Sequence, residues 1–200
     1  MVGDWRRPQR SENFRWGNGR LAFAYCATLG DRGSATPIER LTSVDALLLW
    51  AVEAQLADPA GPPPAALGPA LALREAIYAT GRAVSLAEQP DGDDVALVND
   101  WAGRPGAVPQ LVVAGPGQPY SRIRATSIDQ ILADIARDAV DAIGNSPLRV
   151  RRCAAPTCRG VFLDDSPAAT RRWCSMSTCG NRSKKATYRQ QHAVDAGQRP

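Results

Sequence analysis

The stretch RRCAAPTCRGVFLDDSPAATRRWCSMSTCGNRSKKATYRQQH, residues 151–192, contains four of the five cysteines of this 200-residue chain. They are Cys153, Cys158, Cys174 and Cys179, in the spacing C-x4-C-x15-C-x4-C. Four clustered thiols in a reducing compartment are typical of a structural zinc site, because zinc prefers tetrahedral thiolate ligands. Two disulfides, buried free cysteines or an iron–sulfur cluster are the alternatives. The stretch therefore predicts one Zn²⁺ per chain, bound by these four side chains.

The sequence around the cysteines predicts a knuckle, a hairpin and a helix, which together make a treble-clef-like zinc module over residues 148–194. The expected hairpin has its first strand at Arg159–Leu163, its turn at Asp164–Ala168 and its return strand at Arg171–Trp173. A helix starting near Thr178 places Cys179 in its first turn, where unpaired N–H groups and the helix dipole stabilise a thiolate. A module of this size has little core of its own, so the metal is expected to supply much of its folding free energy.

Charge is distributed unevenly along the chain. Residues 149–200 contain 11 of the 24 Arg and Lys residues and 3 of the 20 Asp and Glu residues, a net charge of +8. Residues 1–148 contain the other 13 basic and 17 acidic residues, a net charge of −4. This asymmetry indicates an anionic partner for the basic end of the chain.

The helix expected after Cys179 carries a basic stripe. At 100° per residue, the side chains of Arg182, Lys185, Arg189 and His192 fall within a sector of about 80°. The neighbouring sector, towards the zinc, contains Ser183, Ala186 and Gln190. The candidate nucleic-acid contacts are Arg171, Arg172, Asn181, Arg182, Lys184, Lys185 and Arg189. Such residues grip phosphates or base edges. The alternatives are a solvated basic face and, for residues 181 and 182, hydrogen bonds that brace the zinc knuckle.

Residues 1–145 are expected to form a mostly helical domain with a small sheet, which makes the chain an α+β protein. Predicted helices cover Ser43–Ala57, Pro69–Leu86, Asp91–Trp101 and Ile128–Ile143, and predicted strands cover Val108–Ala114 and Tyr120–Ala125. The apolar run Leu21–Leu29 fits either a short strand or a first helix. Gly144–Pro147 ends the last helix where the charge changes sign, which predicts a domain boundary and a body that folds alone.

Several classes of protein are disfavoured by the sequence. No apolar run approaches the roughly 20 residues that span a bilayer, and the first residues lack the apolar stretch of a signal peptide. We therefore expect a cytoplasmic protein with no membrane partner. The single histidine lies near a polar tail, and no Ser or Cys stands in a nucleophile motif, so we do not expect an enzyme. Cys26, Trp50 and Trp101 are expected to be core residues.

The string Cys179-Gly180-Asn181-Arg182, preceded by Trp173-Cys174-Ser175 and followed by Lys184, resembles the CGNR zinc finger family of bacterial proteins. The N-terminal part resembles, more loosely, the ABATE domain that commonly precedes this finger. That likeness is carried by Leu21–Thr28, by the helix at Leu47–Trp50 and by Leu73–Ile77. Residues 22–28 read AFAYCAT, where the family tends to have an Asp-Phe-x-Asn-Thr-like string. The resemblance implies a stress-related bacterial transcription regulator.

Charge and resemblance together favour a DNA-binding regulator in which the zinc module touches DNA. An RNA-binding or ribosome-associated zinc module uses the same charge and is the first alternative. A protein–protein adaptor, in which the finger grips an acidic partner, is the second. The acidic body is expected to supply either a pocket for a small-molecule ligand or a homodimer surface, since a two-fold dimer brings two fingers to one nucleic-acid site.

Overall fold

The computed structural model describes residues 13–58, 67–186 and 188–189. The described helices are α1 (Leu21–Cys26), α2 (Val44–Glu53), α3 (Leu67–Ser85), α4 (Gly92–Gly103) and α5 (Ile128–Asn145). The described strands are β1 (Leu29–Gly30), β2 (Ile38–Glu39), β3 (Pro109–Val113), β4 (Pro119–Ile123), β5 (Val150–Arg152) and β6 (Val161–Leu163). They pair antiparallel as β1–β2, β3–β4 and β5–β6. The predicted α+β class is confirmed.

Three helices of the body begin at side-chain caps that the sequence signals. Ser43, Asp91 and Ser127 each accept a hydrogen bond from a backbone N–H two or three residues further along the chain. A cap of this kind satisfies one of the N–H groups that the first helical turn leaves without a partner. Helix α2 ends at Glu53, before the predicted end, and Gln55 then adopts a left-handed backbone conformation with φ of 61°.

The apolar run at the start of the body is a helix, α1, in which all six residues are buried. Periodicity cannot separate a strand from a helix when every face of a short element is covered. Helix α1 packs against α3 and α5. Asp138 of α5 holds its N-terminal end, since it accepts hydrogen bonds from Ala22 N at 2.8 Å and from Arg20 Nε at 3.0 Å.

An aromatic cluster lies in the core between α1 and α2. The Trp50 ring stacks on Trp16 with 5.6 Å between centroids and lies 5.0 Å from Tyr25. Cys26 is buried beside this cluster, and burial raises the pKa of its thiol to about 12. Trp101 is also buried. The prediction that Cys26, Trp50 and Trp101 are core residues is confirmed.

The zinc module packs on the body through one continuous apolar core. Val150 and Val161 belong to the same buried cluster as α1 and α3. A Cβ added at Gly81 of α3 would lie 3.2 Å from Phe23 Cε1 and 3.8 Å from Val161 Cγ2, so the three elements meet at this glycine. Asn18 donates its side-chain amide to Val161 O at 2.8 Å. The domain limits 1–145 and 148–194 stay a prediction, with a shared core between them.

The predicted hairpin of the zinc module is wrong in its pairing. Strand β6 pairs with β5 before it, with Val150 opposite Leu163, and the return strand expected at 171–173 is not formed. The reason is that the first knuckle, residues 153–160, is short enough to form the hairpin loop between β5 and β6. Cys153 N donates to Gly160 O at 2.8 Å and so extends the strand pairing into this loop. The segment at 171–173 contributes one backbone bond, from Ala154 N to Arg172 O at 2.9 Å.

We predict that Val161→Ala destabilises body and finger together. The side chain is 1% exposed, and its loss removes two methyl groups and leaves a cavity, at a cost of about 1.5–3 kcal/mol. Far-ultraviolet circular dichroism, to which helices α1–α5 of the body contribute most, reports unfolding of the body, and release of metal to a colorimetric chelator reports unfolding of the finger. Both denaturation midpoints are expected to fall together. Leu148→Ala, at an 87% exposed position, is the matched control. A fall in the finger's midpoint alone would show two independent domains.

Candidate metal centre and basic surface

The four clustered cysteines converge on one point. Their sulfur atoms all lie within 4.8 Å of one another, and Cys174 Sγ lies 3.7 Å from both Cys158 Sγ and Cys179 Sγ. A disulfide requires a separation of about 2.05 Å, so these sulfurs are not bonded to one another. A tetrahedral zinc with Zn–S bonds of about 2.3 Å places its sulfurs about 3.8 Å apart. The sulfur positions therefore fit a single tetrahedral ion.

Two local structures present the thiols. Cys153 and Cys158 lie in the loop of the β5–β6 hairpin, where Arg159 has a left-handed φ of 51°. Cys174 precedes, and Cys179 lies within, a helical turn at Met176–Gly180 that leads into helical residues 181–186 and 188–189. The helix therefore begins at Met176, two residues before the start predicted near Thr178. Cys179 lies in the first turn of this helix, as predicted.

The four cysteines are buried, and their sulfur atoms lie within hydrogen-bonding reach of one another. Hydrogen bonds with neighbouring thiols, chiefly that of Cys158, lower the pKa of Cys153. Hydrogen bonds with the other thiols, chiefly that of Cys153, and burial raise the pKa of Cys174. Thiols become metal ligands by losing their protons, so metal binding at this cluster releases protons.

Asp164 organises the loop between the two cysteine pairs. Its carboxylate is fully buried and accepts hydrogen bonds from Ser166 Oγ at 2.5 Å and from Arg171 N at 2.9 Å. Those bonds hold the pKa of Asp164 below its usual range although burial opposes them. The role of Asp164 was not predicted; the available signal was Asp-Asp-Ser-Pro at residues 164–167, a composition that favours side-chain-to-backbone turns.

Arg171 is a brace of the second knuckle in this structure. Its guanidinium donates to Trp173 O at 2.8 Å and also to the carbonyl oxygens of Cys174 and Gly17. It also lies 3.3 Å from Asp165 Oδ1. The donors of Arg171 are therefore engaged within the protein, next to a metal ligand.

Two further members of the candidate nucleic-acid set make contacts within the protein. Asn181 Nδ2 donates to Ser177 O at 3.2 Å, across one turn of its own helix. Arg182 donates to Asp31 Oδ1 at 3.0 Å and to Thr157 Oγ1 at 3.1 Å. Asn181 thus bonds a carbonyl of the second knuckle, as the bracing alternative expected, whereas Arg182 joins the first knuckle to the body through side-chain oxygens. The nucleic-acid role of both residues stays a prediction.

The other four members of the set are exposed cations. They are Arg172, Lys184, Lys185 and Arg189. Within the ranges that the structure describes, none of them has a carboxylate partner, and Arg172 lies 5.2 Å from the Trp173 ring. Of the sector expected to face the zinc, Ser183 is half-buried and Ala186 is exposed. Gln190 and His192 lie outside the described residues.

The loop at residues 31–33 of the body receives the finger. Asp31 is buried and forms an ion pair with Arg182. Gly33 N donates a hydrogen bond to Thr157 O at 2.9 Å. A Cβ at Gly33 would collide with Pro156 O, so the close approach of the loop to the knuckle requires glycine. This contact was missed because Gly-Asp-Arg-Gly at residues 30–33 reads only as a turn.

A cavity of about 310 Å³ lies between α3, α4 and α5. Its lining is mostly apolar, and Arg104 stacks on Trp101 at its edge, 3.7 Å from the ring centroid. Nothing in the structure identifies an occupant, so the ligand of the body stays a prediction, as does the homodimer. None of the described helices is long and apolar enough to cross a membrane.

Comparison with known families accounts for most of the chain. The sequence model of the ABATE family, described as "Putative stress-induced transcription regulator", matches residues 19–146. The sequence model of the CGNR zinc finger matches residues 149–192, which include all four clustered cysteines. No curated protein matches the chain. The finger match and the sulfur geometry together support a single Zn²⁺ in each chain.

We predict that the purified protein contains about one zinc per chain and that Cys179→Ser releases it, because one ligand of the tetrahedral set is lost. Metal analysis of never-chelated protein measures this directly. Cys26→Ser is the matched control, since Cys26 lies in the body core, and it is expected to retain the metal. A protein without zinc or another metal before any mutation would contradict the assignment.

We predict that two adjacent arginines differ in their effect on the metal. Arg171→Ala removes the bonds to the knuckle carbonyls and is expected to weaken zinc retention about tenfold, the lower end of what supporting hydrogen bonds contribute at metal sites. Arg172→Ala is expected to leave retention unchanged, because that side chain is exposed. Competition with a chelator of known affinity checks both. Equal zinc affinity in the two variants would show that Arg171 is not a brace.

Proposed function

The chain belongs to the ABATE family and carries a CGNR zinc finger, and on this basis we propose that it is a transcription regulator that binds DNA through the finger. The observation that carries the proposal is the set of four exposed cations on a zinc-anchored element, Arg172, Lys184, Lys185 and Arg189. Exposed cations without carboxylate partners bind a phosphate backbone by displacing its condensed counterions. The two matched families are a regulator and a zinc finger, neither of which is an enzyme family.

The proposal divides the basic residues of the finger by their task. The four exposed cations are assigned to the phosphates, which position a protein on a duplex. Arg171, Asn181 and Arg182 are assigned to bracing, since their donors contact protein oxygens. The brace keeps the helix that carries Lys184, Lys185 and Arg189 fixed relative to the metal. Zinc is then needed for binding although it does not touch the nucleic acid.

We predict that phosphate contacts show in the salt dependence of DNA binding. The four cations contribute about 3.6 to the slope of log affinity against log salt, so affinity falls at least about 10²-fold between roughly 50 and 200 mM salt. The Lys184→Ala/Lys185→Ala double variant is expected to lower that slope by about 1.8 and to weaken binding. Fluorescence anisotropy with a labelled duplex measures both quantities. The zinc content of the variant is expected to stay at the wild-type value.

Arg122→Ala serves as the control, because Arg122 pairs with Asp58 at 2.9 Å on the body and lies outside the finger. It is expected to bind as the wild type does. The same titration with structured RNA, single-stranded DNA and an acidic peptide separates the alternatives. Tighter binding of structured RNA than of duplex DNA would replace the regulator by an RNA-binding module. Binding of the acidic peptide alone would favour an adaptor.

A further inference from the structure

Finger and body meet along a seam whose centre is Tyr78 of α3. The Tyr78 hydroxyl donates to Arg159 O, in the first zinc knuckle, at 3.1 Å. The guanidinium of Arg32 lies over the Tyr78 ring, 3.8 Å from its centroid. One turn further along α3, Gly81 lies against Val161 of β6, which pairs with Arg152 of β5. This packing brings basic residues of both parts of the chain to one place.

Three arginines border the seam: Arg82 of the body, and Arg152 and Arg159 of the finger. Arg152 and Arg159 are exposed, and in the described part of the chain neither has a carboxylate partner. Arg82 pairs with Glu88 at 3.4 Å, with both side chains about half exposed. An exposed pair of that kind contributes little stability, so a phosphate can replace the carboxylate. Arg32 differs, because Glu75 neutralises it at 2.6 Å.

The electrostatics of Tyr78 agree with this arrangement. Burial raises the pKa of Tyr78, and the positive charges of Arg32, Arg82 and Arg152 oppose that rise. Arg82 and Arg152 therefore act on the same hydroxyl from the two sides of the seam. Arg32 is paired with Glu75 and Arg82 with Glu88, so Arg152 is the positive charge that acts on Tyr78 without a carboxylate partner among the described residues.

The seam continues the basic stripe of the finger helix. Arg182 is the first member of that stripe, one turn before Lys185 and two turns before Arg189. It bonds to Thr157 Oγ1, and Thr157 stands two residues before Arg159 in the same knuckle. Arg182 is itself paired with Asp31, so its contact with Thr157 fixes position and adds no free charge: it places the finger helix beside the zinc knuckle, and the knuckle contacts helix α3 through Tyr78.

We infer that Arg82, Arg152 and Arg159 form a second phosphate-binding surface, the seam patch, so that body and finger bind one nucleic-acid backbone together. The inference rests on the proposed function and extends it, since it makes the acidic body a participant in binding. Arg82 is supplied by the body and the other two by the finger, so the patch exists only while the two parts are packed together. With seven cations in contact with phosphates, log affinity falls against log salt concentration with a slope of about 6.3 for the full chain, against about 3.6 for the four exposed cations of the finger alone.

The test uses charge-removing variants of the full, zinc-loaded chain. Glutamine removes the charge but keeps part of the aliphatic stem, so it perturbs packing less than alanine does. This matters at Arg159, whose backbone has a left-handed φ of 51°. Arg152→Gln/Arg159→Gln is expected to lower the salt slope of duplex binding by about 1.8, and Arg82→Gln by about 0.9. Arg122→Gln, on the body hairpin, is the control and is expected to leave the slope unchanged. Zinc content and melting temperature confirm that each variant is folded.

The outcomes separate the seam patch from the proposed function. If the lysine double variant lowers the slope and the two seam variants do not, the patch is overturned while DNA binding through the finger stands. If Arg82→Gln alone has no effect, the body makes no phosphate contact and the inference fails in its main claim. If the wild-type chain shows no salt-dependent binding to any nucleic acid, the proposed function fails, and the patch with it.

Discussion

The convergence of four thiolates on one metal is the constraint on which the C-terminal part of this chain depends. The local core of the finger consists of the four cysteines with Ala155 and Phe162, and Trp173 packs against it. Such a cluster is too small to offset the conformational entropy of the loops that it closes. Zinc supplies the missing free energy, and the finger then gives Val150 and Val161 to the core of the body. Metal, finger and body are therefore linked in one packed structure.

Features that depend on local chemistry were predicted from the sequence. The cysteine spacing indicated the metal ligands, and Ser43, Asp91 and Ser127 marked the starts of three helices because a cap needs only its own first turn. The strands of the β3–β4 hairpin followed from a β-rich run and the turn residues after it.

Features that depend on distant partners were not predicted. The run at α1 was ambiguous because burial on every side removes the periodic signal. The pairing of β6 with β5 depends on the knuckle acting as a hairpin loop. The ion pair of Arg182 with Asp31 joins residues 151 positions apart, and nothing near either residue indicates it. An exposed cation and a bracing cation are the same residue type in the sequence, so only the packed structure separates Arg171 from Arg172.

We propose that exposed cations of the zinc-anchored finger and of the body bind the backbone of duplex DNA together. Amide hydrogen exchange on the full, zinc-loaded chain, with and without a saturating duplex, tests it most directly. The account predicts slower exchange in the duplex complex in three regions: the helical residues 181–186 and 188–189 of the finger, the knuckle around Arg159, and α3 around Tyr78 and Arg82. Slower exchange confined to the β3–β4 hairpin, or no change in any of the three regions, would contradict it.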